Sequence, residues 1–251
     1  MRNLFFLSLL GILFTLSSCK KETALQENVL ADYIELNIDS ELVNDIIACA
    51  GGKEGGLFGI ANEPTSVFFY PIEGASDFRY FEADIKDSLD FSKYLHKAVD
   101  CEPVFNGFLW KFNNLPFFGE RMGVVTYRTP GKLHTCTPIR QKTTTKPTEV
   151  NPALGMVTEN GVNPTFNWVD GLVKENAIYF QVISDEADNL ISGTYTFEKE
   201  FTFYDLSNVV LNITPTSTPI LEPNQNYKFT MMGVSRDNWV NLFIEKEFST
   251  N

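Results

Sequence analysis

Cationic charge, histidine and cysteine are all scarce in this chain, and each scarcity excludes something. Twenty Lys and Arg stand against 32 Asp and Glu, a formal net charge of −12. Nucleic acid requires a positive field on its partner, so binding to it is excluded as a function. Anionic lipid head groups are repelled for the same reason. The two histidines, His96 and His134, are far apart and have no paired cysteines near them. The usual zinc ligand sets are therefore missing, and no metal is expected. Besides Cys19 there are only Cys49, Cys101 and Cys136. Spacing does not choose between one disulfide with a thiol left over and three free thiols.

Long hydrophobic runs are also missing, with one exception. Leu4 to Phe14 is almost wholly apolar and follows Arg2. It is shorter than the ~20 residues that a spanning helix needs. A positive start, a short apolar core and small residues next are the marks of an export signal. Leu16-Ser17-Ser18-Cys19 then resembles the bacterial lipobox. That resemblance implies a signal peptide over 1–18 and a diacylglyceryl group, typically palmitate-bearing, on Cys19, which becomes the new N-terminus. Residues 19–28 are then a polar, lipidated tether. Each buried CH₂ contributes about 0.8 kcal/mol, so several acyl chains anchor firmly. Lys20, where an Asp would retain the protein at the inner membrane, implies by the same resemblance the outer membrane. Lys20-Lys21-Glu22 is similar to the surface-export signal of Bacteroidetes lipoproteins, which implies the cell surface, with the periplasmic face as the alternative.

Aromatics, by contrast, are abundant: 22 Phe, and 14% aromatic overall. With many Thr and Val, this favours strands. A polar, Thr-rich stretch bracketed by prolines, Gln141 to Pro152, reads as an interdomain break, with the linker itself at 147–152. Before it, 29–146 carries strand-like runs at Tyr33–Ile38, Ser66–Tyr70, Phe78–Ala83, Val104–Phe112 and Met122–Arg128, with a short helical piece around Phe91–Val99. Phe108, Trp110 and Phe112 share one face of a strand at that spacing. After it, over 153–251, short strands alternate with turn signals. They are expected at Ala153–Thr158, Thr165–Val169, Ala177–Ser184, Thr194–Phe203, Asn208–Ile213, Tyr227–Ser235 and Leu242–Phe248. In Tyr227-Lys228-Phe229-Thr230-Met231 the odd positions are apolar, as a half-buried strand requires.

The C-terminal stretch resembles a fibronectin type III or related immunoglobulin-like domain. Pro164-Thr165-Phe166-Asn167-Trp168 looks like the second strand of that fold, with Trp168 as core tryptophan. Leu221 to Tyr227 matches its Leu-x-Pro-x-x-x-Tyr corner, which implies that the Tyr227 hydroxyl hydrogen-bonds back to loop backbone. The expected fold class is all-β: two tandem β-sandwiches, the second a Greek-key, fibronectin type III-like one.

Catalytic patterns are thin. There is no Gly-x-Ser-x-Gly elbow. Glu73, Glu82, Asp84 and Asp87 offer carboxylates, but nothing singles out a pair for glycoside hydrolysis. Ala50-Gly51-Gly52-Lys53-Glu54-Gly55-Gly56 fails the phosphate-loop pattern because Glu54 follows the lysine. Ser184 to Asn189 gathers carboxylates without the calcium-loop spacing and reads as a solvated turn. No motif requires a cofactor. Three aromatics are candidates for stacking on a sugar face: Phe117 and Phe118 in a turn-like stretch, and Trp239 in the last loop of the second sandwich. Packing is the competing role for each. Asp87-Ser88-Leu89 matches the Bacteroidetes O-glycosylation sequon, which places Ser88 on an exposed loop. The expectation is a non-catalytic envelope lipoprotein, held to the membrane through Cys19, that binds a glycan or another extracellular ligand. A structural subunit contacting envelope proteins is the alternative, and an extracellular hydrolase comes last.

Overall fold

In a computed structural model of the chain, residues 25–53, 65–113, 115, 119–158, 160–216 and 218–251 are described. After one short helix, α1 (Leu30–Leu36), the structure is built of strands. The first half holds β1 (Glu41–Asn44), β2 (Ile47–Gly51), β3 (Ser66–Tyr70), β4 (Ser76–Asp84), β5 (Leu95–His96), β6 (Cys101–Val104), β7 (Leu109–Phe112), β8 (Arg121–Thr129), β9 (Lys132–Thr135) and β10 (Ile139–Gln141). The second half holds β11 (Glu149–Val150), β12 (Gly155–Thr158), β13 (Thr165–Trp168), β14 (Ile178–Asp185), β15 (Leu190–Thr196), β16 (Glu200–Thr202), β17 (Val209–Asn212), β18 (Asn226–Val234) and β19 (Val240–Ser249).

These strands form four sheets. Sheet I runs β1-β9-β8-β4-β5, with β10 also on β8; sheet II runs β2-β3-β7-β6. Sheet III runs β11-β19-β18-β14-β15-β17, and sheet IV runs β12-β13-β16. Sheets I and II enclose one core, including Tyr80, Val125, Phe69 and Phe112. Sheets III and IV enclose another, including Phe166, Phe201, Phe229 and Ile244. The protein is thus all-β, two sandwiches in tandem. In the second, β14 and β15 leave for sheet III and β16 crosses back to β13, a Greek key. Its tyrosine corner is closed: the Glu222 N–H donates to the Tyr227 hydroxyl at 2.8 Å. Trp168 is buried in the same core.

A third core joins the sandwiches. Phe68, Leu109 and Phe105 of the first meet Phe180, Val182, Met232, Val234 and Phe243 of the second. The central strands of sheets II and III are therefore covered on both faces. This explains the unbroken apolar run of β3, where Val67 and Phe69 face the first core and Phe68 the shared one. It also corrects the half-buried reading of β18: Phe229 and Met231 face the second core, while Thr230 and Met232 on the other face are buried as well.

The expected linker is not a free tether. The Thr148 N–H donates to Gly52 O at 2.9 Å, and its hydroxyl accepts from Gly52 N and donates to Val240 O. Such bonds contribute about 0.5–1.5 kcal/mol each. Glu149 and Val150 then pair in parallel with Leu242 and Phe243. A Thr-rich segment is polar in composition, but its hydroxyls bond backbone that would otherwise be orphaned between the two sandwiches.

Local assignments differ in four places. Tyr33–Ile38 is not a strand: the buried residues Leu30 and Tyr33 lie one turn apart on α1, which covers sheet I. The helical piece near Phe91 is a single 3₁₀ turn, Phe91–Lys93, before β5. Val104–Phe112 is a hairpin, not one strand. Phe105, Asn106 and Gly107 all take positive φ at its turn, so Phe108 joins the shared core while Phe112 faces the first. Thr194–Phe203 breaks into β15 and β16 where the chain changes sheet.

Trp239 pins this arrangement. It is fully buried against the first core, and its indole N–H donates to Lys146 O at 2.8 Å. We expect Trp239→Ala to cost about 3–5 kcal/mol, as other large-to-small changes in cores do. Because three cores share two sheets, urea should unfold both sandwiches together. Coincident curves by circular dichroism and tryptophan fluorescence check this; two separated transitions would contradict it.

Candidate functional site

The β18–β19 turn was expected to be a contact loop, and it does border a cleft. It does so through Ser235, Arg236 and Asp237 rather than through Trp239. Trp239 lies inward, with no ring face left for a sugar, so the candidate stacking role at that position is corrected to packing. The turn is held by its own bonds. The Ser235 hydroxyl donates to Asp237 Oδ1 at 2.6 Å, and Ser235 N donates to Trp239 O at 2.9 Å.

The cleft, about 890 Å³, is completed by Lys142 and Lys146 from the segment after β10, and by Glu175, Asn176, Ala177 and Phe197. Phe197 owes its position to the break between β15 and β16. The Thr196 hydroxyl donates to Glu198 O at 2.7 Å across the bend, and the Phe197 ring is left outside all three cores, 65% exposed. Asn176 is held by bonds on both sides of its amide: its nitrogen donates to Asp170 Oδ1 at 2.9 Å and its oxygen accepts from Asn241 at 3.0 Å. Gly233 makes room for it, since a Cβ there would lie 2.9 Å from the Asn176 amide carbon.

Three cations, Lys142, Lys146 and Arg236, face two carboxylates, Glu175 and Asp237, around this space. Lys142 pairs with Asp237, and Lys146 reaches Glu175 at 3.3 Å. Arg236 is exposed and makes no ion pair among the described residues. Burial raises the Asp237 carboxyl, but Lys142 and the Ser235 hydroxyl outweigh it and hold it below its ordinary value. An exposed ring beside amide, hydroxyl and guanidinium groups can cover an apolar ligand face while exchanging hydrogen bonds around its edge. The surplus of positive charge favours a carboxylate-bearing ligand.

Other chemistry-bearing groups are arranged for structure. Thr129 Oγ1, His134 Nε2 and Nδ1, and Asp45 Oδ1 line up at 2.8 and 2.7 Å. The order is that of a nucleophile triad. Yet the imidazole is 1% exposed and stacks on Tyr127, with both nitrogens engaged. It ties the β8–β9 hairpin to the chain beside β1. Cys49, Cys101 and Cys136 are free thiols. Burial pushes all three up to about 12, so they stay protonated and weakly nucleophilic at ordinary pH. Asp185 accepts from the backbone N–H groups of Ala187 and Asn189, a turn as expected. Among the described residues no cluster of three or more His, Cys, Asp or Glu could hold a metal ion. Ser88 lies in a turn and is half-buried rather than exposed, its carbonyl accepting from the Tyr94 hydroxyl at 2.8 Å. Cys19, Phe117 and Phe118 lie outside the described residues.

Phe197 was missed in the sequence because Thr194 to Phe203 reads as one strand, in which an aromatic is ordinary. The one available signal was the Glu198-Lys199-Glu200 charge run after it, a poor continuation for a buried strand.

No family model and no curated protein matches the chain. Among solved structures it is similar to the FN1–FN3 domains of chicken CNTN1, at 12% identity and a TM-score of 0.30, covering 84% of this chain and 68% of that one. It is also similar to the chicken interferon gamma receptor alpha chain, at 11% identity and a TM-score of 0.27, covering 81% and 96%. The assignment of the second sandwich rests on its own strand order and tyrosine corner.

A pH dependence follows from Asp237. Its folded value lies below the unfolded value of about 3.9, so its stabilising contribution is present above that pH and lost as pH falls through the folded value. Asp237→Asn should lower the urea midpoint at neutral pH and flatten its decline on the acid side. An unchanged acid limb would show that the carboxylate contributes nothing.

Proposed function

We propose that this chain is a lipid-anchored module of the bacterial outer surface that captures an acidic glycan, without cleaving it, in the cleft beside Phe197. The observation that carries this reading is the exposed Phe197 ring beside Arg236 and Lys146. They border a cleft whose lining carries three cations against two carboxylates, on a chain of net charge −12. Sugar rings offer an apolar C–H face to such a ring, and a uronate or similar carboxylate matches the guanidinium. The anchor reading rests on Leu16-Ser17-Ser18-Cys19 and on Lys20 next to it. With a tether this short, the cleft samples only ligands that approach the membrane surface.

A specific observation favours an assembly role as the second reading. β17 is the edge of sheet III, and it exposes Val210 and Leu211, 48% and 40% accessible. Edge strands with apolar side chains accept a further strand from a partner.

Two experiments test the first reading. Replacing Cys19 with Ala should abolish palmitate labelling and move the protein to the soluble fraction; continued labelling refutes the anchor. In affinity electrophoresis, gels containing a uronate-bearing polysaccharide should retard the protein. Phe197→Ala and Arg236→Ala should each remove most of that retardation, about tenfold in affinity, with the unfolding midpoint unchanged. Free migration through acidic and neutral polysaccharides alike would overturn capture and favour the β17 reading.

A further inference from the structure

Two sheets packed face to face normally interdigitate their side chains and leave little space. Sheets II and III do not fill theirs. Between them lies a cavity of about 230 Å³, bordered by Cys49, Phe68, Phe180, Tyr195, Met232 and Val234. A dry apolar cavity of about 150 Å³ already accommodates benzene. Phe180 and Tyr195 stack face to face with centroids 4.4 Å apart, and both rings border the cavity. No Asp, Glu, Lys, Arg or His lines the space among the described residues. Burial pushes the Cys49 thiol up to about 12 and raises the Tyr195 hydroxyl well above its ordinary value, so both remain neutral. A charged ligand would be stripped of water there with no counter-charge to meet it. At one end Asn238 donates to the Thr137 hydroxyl at 3.0 Å, and both side chains border the cavity. Thr137 is exposed, as is Leu211 on β17, which gives the cavity an entrance with one polar edge.

We propose that this cavity is a second binding site, for a small uncharged molecule built on one aromatic ring with at most one hydroxyl. The ring packs against the stacked Phe180–Tyr195 pair, and the hydroxyl meets the Thr137–Asn238 edge. The site is separate from the Phe197 cleft and does not depend on it: the two share no lining residue.

Titration of the full chain with p-cresol tests this, read by calorimetry and by the unfolding midpoint. Saturable one-to-one binding and a raised midpoint are expected. Benzoate, of similar shape but charged, should bind about tenfold more weakly or less. Cys49→Leu fills the cavity and should weaken p-cresol by about tenfold or more while leaving the protein folded. Should that variant fail to fold, Met232→Ala carries the test: the enlarged space should shift preference from p-cresol towards indole. Absence of saturable binding to the unaltered protein overturns the proposal. So does an affinity unchanged in folded Cys49→Leu, or a p-cresol to indole preference unchanged in Met232→Ala.

Discussion

The apolar contact between sheets II and III is the constraint on which the rest of the molecule depends. A sheet in a sandwich normally covers one face and leaves the other to water. Here β2, β3 and β7 on one side, and β14, β18 and β19 on the other, are apolar on both. Neither sandwich could be exposed alone without presenting a large apolar face. Their union makes four layers, and it recruits the connecting segment, whose Thr148 bonds both Gly52 and Val240.

The turn Ser235–Asn238 lies where these requirements meet. Ser235, Arg236 and Asp237 border the charged cleft, and Asn238 borders the apolar cavity. Trp239, next in the chain, inserts into the first sandwich and fixes the turn from below. Arg140 N donates to Asp237 O at 3.0 Å and Lys142 pairs with its carboxylate, so the turn is also tied to the end of sheet I. Rigid support of this kind positions surface groups better than a free loop does, and it separates two spaces of opposite polarity by a few residues.

Much of the second sandwich was legible because its strands are local objects. Alternation in Tyr227–Met231, the turn residues around Asp188 and Pro223, and the Leu221–Tyr227 corner each mark structure within about ten residues. The first sandwich was harder for physical reasons. Its β3 is covered on both sides and shows no alternation, and Leu30–Leu36 mixes apolar residues at a spacing compatible with either period. The Phe105–Gly107 turn depends on positive φ at two non-glycine residues, which composition does not announce. The candidate site was legible only as a loop. Trp239 drew attention because tryptophan suits sugar contacts, yet tryptophan suits a junction between cores equally well.

By itself the sequence determined the fold class, the Greek-key character of the second sandwich, the core role of Trp168 and the tyrosine corner. Each follows from patterns of neighbouring residues that fix which way a side chain faces its own sheet. Only the tertiary structure decided that the sandwiches fuse through a third core. It also decided that Cys49, Cys101 and Cys136 are free thiols, that Trp239 is buried and that Phe197 is exposed. The third core and the burial of Trp239 depend on what lies on the far side of a sheet, contributed by residues distant in the chain, and the exposure of Phe197 depends on where the chain changes sheet. An apolar side chain has the same periodicity whether a second sheet or water waits beyond it.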